Sequence, residues 1–84
     1  MQTYRVQIAV RRREGVLDPE SAAIVRQLTQ KGFAAIDLYI SRLFDLHIGA
    51  ESEEEARELA DNLGKTYFSN PNIERYEIVS VQRH

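Results

Sequence analysis

The sequence contains no cysteine and only two histidines, His47 and His84. Thiolate nucleophiles, disulfides and Cys-ligated zinc are therefore excluded from the start. His47 alternates with Asp45 on one side of an extended segment, a spacing that would suit an acid–base pair; the plainer reading is an exposed strand histidine. Glu51, Glu53, Glu54 and Glu55 form an acidic cluster. Loops that hold hard cations interleave their acids with turn residues and a glycine, whereas this run reads as the start of a helix, where negative charge favours the dipole. Arg11-Arg12-Arg13 is the one basic cluster and could meet a phosphate or an acidic partner. No glycine-rich cradle follows it and Glu14 dilutes its charge, so a solvated loop is the reading preferred. Ser41, Ser69 and Ser80 lie in no nucleophile context, and Tyr4, Tyr39 and Phe44 are too sparse for a stacking platform for single-stranded RNA. The residue types point to no active site, and neither a cofactor nor a metal is expected.

The elements that would position these residues are legible from periodicity. Tyr4, Val6, Ile8 and Val10 alternate with Thr3, Arg5, Gln7 and Ala9, the pattern of a strand with one buried face, ending near Arg11. Arg12-Arg13-Glu14-Gly15 closes it as a turn or loop. Asp18-Pro19 is an N-cap followed by a first-turn proline, so the first helix starts at Pro19. Ile24, Val25 and Leu28 form its apolar stripe, and Gly32 after Lys31 suits a left-handed cap. From Ile36 to Ile48 every even position is apolar except Arg42, which predicts one long strand kinked near Arg42. The runner-up is a hairpin loop over Ser41 to Leu43, giving β-α-β-β-α-β. Ser52-Glu53-Glu54-Glu55 is a capping-box pattern, and Ala56, Leu59, Ala60, Leu63 and Tyr67 place the second helix from about Glu53 to Phe68. Asn70-Pro71-Asn72 makes a turn. Ile73 to Val81 is the last strand, with Tyr76 and Ile78 on one face but Val79 and Val81 on the other. The fold class expected is α+β, a β-α-β-α-β two-layer sandwich with two helices on one face of an antiparallel sheet, in one domain spanning 1–84.

Composition bounds the partners. The chain has 84 residues, 11 Lys plus Arg and 13 Asp plus Glu, for a formal charge of −2. Nucleic-acid proteins normally carry a net basic field, so none is expected as partner. No apolar run approaches the roughly 20 residues of a spanning helix, and Met1 leads directly into an alternating segment, so the expected location is cytoplasmic, away from membranes. A domain this small buries only about 60–65% of its unfolded surface. The small core and the two-faced last strand predict self-association.

Gly15-Val16-Leu17-Asp18-Pro19, with Gly32-Phe33 and Asn70-Pro71-Asn72-Ile73-Glu74-Arg75-Tyr76, resembles the PurS family, the small subunit of bacterial and archaeal phosphoribosylformylglycinamidine synthase. The similarity runs from about Tyr4 to Val79. It implies a noncatalytic assembly subunit in purine biosynthesis, itself a dimer or tetramer, working beside a glutaminase subunit and an ATP-dependent synthetase subunit. The family's middle-strand Arg-x-Gly-Lys is represented, after a one-residue gap, by Tyr39, Ser41 and Arg42, which become the partner-contact candidates. Ser21 stands where a glycine is usual, and Lys31 where an apolar residue is usual. A small-molecule-sensing ACT-like regulatory domain and a divergent PurS paralogue with other partners are the alternatives; a small enzyme on the same scaffold ranks below both.

Overall fold

The computed structural model describes residues 1–35 and 37–84. Strand β1 (Gln2–Arg12) is followed by helix α1 (Pro19–Gln30), β2 (Ser41–Ala50), α2 (Glu53–Leu63) with a π-helical turn over Gly64–Phe68, and β3 (Glu74–Arg83). The strands form an antiparallel sheet in the order β2-β1-β3, an α+β fold as the sequence predicts.

β1 is central because its even face is the most apolar in the chain. Val6 and Ile8 are fully buried, Val10 and Tyr4 nearly so. Phe44, Leu46 and Ile48 of β2 and Tyr76, Ile78 and Val81 of β3 join them on that face. α2 covers it with Ala56 and Ala60, whose small side chains let the helix approach the sheet closely. Ser52 Oγ accepts from the Glu55 amide (3.1 Å) and Glu55 reaches back to the Glu51 amide (3.3 Å), so the acidic run is a helix start. Gly64 is buried against the Tyr76 ring, and Phe68 stacks on Phe44 with centroids 4.3 Å apart. The second helical segment thus reaches Phe68 as expected, but its last turn is π-wound.

Three details depart from the sequence reading. The long kinked strand is replaced by one that starts at Ser41: residues 37–40 lie outside the ladder, and Ile36 lies outside the described residues. The cause is the length of the partner. β2 pairs with β1 from Arg11↔Ser41 to Gln2↔Ala50, and β1 ends one residue later, so earlier residues have no strand to pair with. The hairpin alternative also falls, since Ser41, Arg42 and Leu43 are paired with Arg11, Val10 and Ala9. Second, the register of β3 shifts between Gln7 and Ile8 of β1: Ile8 faces Ile78 but Gln7 faces Ser80. Val79 is the extra residue of a β-bulge, which returns Val81 to the core face beside Tyr76 and Ile78. Third, α2 covers the sheet alone. α1 makes no comparable packing with any strand among the described residues, and the molecule is correspondingly elongated, 53 × 25 × 14 Å.

α1 nevertheless has the ends its sequence calls for. Asp18 accepts from the Glu20 amide (3.1 Å) and the Ser21 hydroxyl (2.9 Å). Gly32, at φ +92°, closes the other end with its neighbours Lys31 and Phe33 returning backbone hydrogen bonds to Leu28.

Candidate functional site

The three partner-contact candidates occupy the end of the sheet where β2 begins, on two different faces. Arg42 lies on the helix-covered side. Its guanidinium donates to Glu74 Oε2 at 3.2 Å and lies 5.5 Å from the centroid of the Phe44 ring. Glu74 also accepts the Asn70 amide at 2.8 Å, so Arg42 ties the first residues of β2 to the Asn70-Pro71-Asn72 turn. The Arg42 side chain is 60% exposed and that of Glu74 18%, which leaves the outward face of the guanidinium open. Tyr39 and Ser41 cluster instead around Arg11. The Arg11 guanidinium lies 4.4 Å from the Tyr39 ring centroid, and Ser41 is its ladder partner. Ser41, Arg11, Ala9, Arg75 and Glu77 line a shallow basin on the uncovered side of the sheet.

The basic cluster is divided among structural duties. Arg12 donates to the Leu17 carbonyl (2.8 Å) and Arg13 to that of Pro71 (2.9 Å), with the Arg13 amide donating to Ile73 (2.8 Å). These bonds hold the loop before α1 and the turn before β3 against each other.

The uncovered sheet face carries a polar network. Arg5 grips Asp45 with both Nε and a terminal nitrogen, at 2.9 and 2.6 Å, and Gln7 joins Asp45 at 3.4 Å while accepting from the Ser80 hydroxyl at 3.0 Å. The Arg5 hydrogen bond and charge hold the Asp45 carboxyl below its ordinary range and raise the guanidinium in turn. Asp45 is therefore committed to Arg5, and the acid–base pair with His47 does not form. His47 lies instead against His84, ring centroids 4.3 Å apart.

A second uncovered surface belongs to α1. Its inner side, with Val25 and Ala22, faces Leu38, Tyr39 and Ile40 across a cleft of about 530 Å³ that also takes in Val16, Leu17 and Ser21. Leu17 is 75% and Phe33 61% exposed, large apolar groups left in water at the two ends of the helix.

With this geometry in view, the comparisons with known proteins are decisive. The family model for PurS, phosphoribosylformylglycinamidine (FGAM) synthase, matches residues 5–82. The chain belongs to the PurS family. The phosphoribosylformylglycinamidine synthase subunit PurS of Methanocaldococcus jannaschii is 30% identical over 76 residues, covering 89% of this chain and 92% of its own. Among solved structures, PurS of Thermus thermophilus superposes with a TM-score of 0.85 over 98% of both chains at 23% identity, a likeness of fold. A chain of PurLQS from Thermotoga maritima superposes with a TM-score of 0.80 over the full length of both chains at 29% identity. PurS membership decides between the sequence alternatives in favour of the subunit and against an ACT-like module. No helix among the described residues is long and apolar enough to cross a membrane.

Sequence reasoning missed two features of this PurS chain. The Arg5–Asp45 pair is a cross-strand diagonal that becomes visible only once the β1–β2 register is known. The His47–His84 contact was hidden by parity: an odd and an even position share a face only because the bulge at Val79 inserts one residue between them.

Proposed function

We propose that this chain is the noncatalytic assembly subunit of a cytoplasmic FGAM synthase complex, self-associating and bridging a glutaminase and an ATP-dependent synthetase. The observation that supports the reading is the amount of binding surface left uncovered by so short a chain. Among the described residues, both outer strands have a free edge, one sheet face has no helix on it, and α1 presents its apolar side to a cleft. Unpaired edges and exposed apolar patches are surfaces that folded proteins normally cover or use.

The chemical reason for such a subunit is transfer of an unstable reagent. Ammonia released into neutral water is mostly protonated and is then no nucleophile. A bridge that aligns the two sites and excludes water preserves it for the second reaction. The chain itself supplies contact rather than chemistry, and as an isolated protein it turns over neither glutamine nor ATP.

Arg42, Ser41 and Tyr39 are the contacts proposed. Arg42 offers the open face of a guanidinium already oriented by Glu74, suited to a carboxylate on a partner; Tyr39 and Ser41 offer an aromatic edge and a hydroxyl beside Arg11. Mixing the chain with its cognate glutaminase and synthetase and measuring mass by light scattering after gel filtration tests the reading. Co-elution of the three proteins is expected. Separate elution at micromolar concentrations, with nucleotide and glutamine present, would point to a divergent PurS paralogue with other partners.

A further inference from the structure

The polar face of the sheet brings the two histidines together from opposite edges. His47 is on β2, level with Arg5 of β1; His84 follows β3, its amide donating to the Thr3 carbonyl at 2.9 Å. β2 and β3 each pair with β1 and not with each other, so the two imidazoles meet above β1, between Thr3 and Arg5. Both side chains are exposed, the rings are 4.3 Å apart by centroid, and their planes differ by 37°.

We propose that His47 and His84 form a two-imidazole site for a late first-row divalent metal ion, which clips the two outer strands together across β1. With metal–nitrogen bonds of about 2.0–2.1 Å, two imidazoles on one ion place their centroids about 4.5 Å apart at a right-angled ligand geometry and about 5.2 Å apart at a tetrahedral one. The pair lies a few tenths of an ångström from the first value. Both rings are within reach of one ion once side-chain rotation turns a nitrogen of each toward it, and the second ligand binds at the high effective concentration of an intramolecular partner. Right-angled coordination belongs to Ni²⁺ and Cu²⁺ more than to tetrahedral Zn²⁺, and neutral nitrogen ligands discriminate against Mg²⁺ and Ca²⁺. Asp45, two residues from His47, is held by Arg5 and is not counted among the ligands.

Because the ion binds a pair that exists only when both outer strands are docked on β1, it raises the stability of the folded chain by mass action. The test uses the untagged protein, since an affinity tag would supply its own imidazoles. Nickel chloride titrated into it is expected to bind one ion per chain by calorimetry and to raise the melting temperature, while magnesium chloride leaves it unchanged. His47→Gln and His84→Gln should each weaken nickel binding by at least about tenfold. Substoichiometric Cu²⁺ should broaden the ring resonances of both histidines together in the unaltered protein, a readout independent of any variant. Absence of nickel binding, binding undiminished in both variants, as the Met1 amine beside Glu51 would give, or broadening of one ring without the other would overturn the proposal.

Discussion

Replacing Gly64 by alanine sets two opposing effects against each other, and the structure decides which wins. Gly64 has right-handed helical dihedral angles (φ −59°, ψ −46°). On helix propensity alone, alanine there gains about 0.8–1.0 kcal/mol. A methyl group at this position would meet Tyr76 Cδ2 at 2.6 Å and Cγ at 2.9 Å. Carbon atoms prefer about 3.5–4.0 Å, so the closest contact is roughly 1 Å too short. The atoms it meets are the root and near edge of a ring, not the end of a flexible chain. The ring's far end is held as well, since the Tyr76 hydroxyl donates to Asp61 at 2.7 Å, a bond that also raises the phenol pKa. Overpacking of this kind costs about 1–3 kcal/mol. The net expectation is a loss of about 0–2 kcal/mol, a fall in Tm of up to about 15 °C for a domain of this size at fixed protein concentration. Thermal denaturation by circular dichroism measures it, and the decisive comparison is the same substitution in a Tyr76→Leu background. There the ring is gone and Gly64→Ala should become neutral or stabilising by up to about 1 kcal/mol, a coupling of about 1–3 kcal/mol between the two sites. Equal destabilisation in both backgrounds would refute the claim that the ring is what requires glycine. A stabilised single variant would show that Tyr76 gives way freely.

Further expectations follow from other parts of the molecule. Ile8→Ala, at a fully buried position in the central strand, should cost about 2–5 kcal/mol by chemical denaturation; a change below 1 kcal/mol would mean that the β1 face is not the core. Asp45 is held below its ordinary pKa by Arg5, and Asp18 by the Ser21 hydroxyl, so both stabilise the fold above the unfolded value near 4. That stabilisation is lost as pH falls through the folded values, and Asp45→Asn should flatten the decline in Tm below about pH 4. Asp18→Ala should lower the helical circular-dichroism signal more than an equivalent cap loss in α2, because α1 has no sheet beneath it to hold it. Arg42→Ala should leave folding and self-association nearly intact and weaken assembly with partner subunits by about 1.5–3 kcal/mol; unchanged assembly by a folded variant would leave Arg42 as the clasp of Glu74 alone.

Local signals were legible where one element carries its own instructions. Asp18-Pro19, Gly32 and Ser52-Glu53-Glu54-Glu55 set helix ends through bonds within a few residues, and each is found where the sequence places it. Strand phase was equally readable in β1, whose even residues from Tyr4 to Val10 are all buried. What escaped depends on the partner of an element rather than on the element. β2 begins at Ser41 because β1 runs out, although the apolar alternation continues further back. The bulge at Val79 is fixed by the match between β1 and β3, and it turns an apparently two-faced strand into one with a single apolar face. The need for glycine at position 64 comes from the Tyr76 ring, which belongs to another element. Of the candidate contacts, the charge of Arg42 stood out in the sequence, whereas its bond to Glu74 and the grouping of Tyr39 with Arg11 required the tertiary structure.

The central claim, that the chain couples two partners without performing chemistry, is tested most directly by reconstitution. Product formation should be measured with the cognate synthetase and glutaminase, once with glutamine and once with added ammonia as nitrogen donor, in the presence and absence of this chain. The account predicts that the chain alone has no activity, that glutamine-dependent synthesis requires it, and that ammonia-dependent synthesis by the synthetase depends on it far less. Full glutamine-dependent synthesis in its absence would contradict the account.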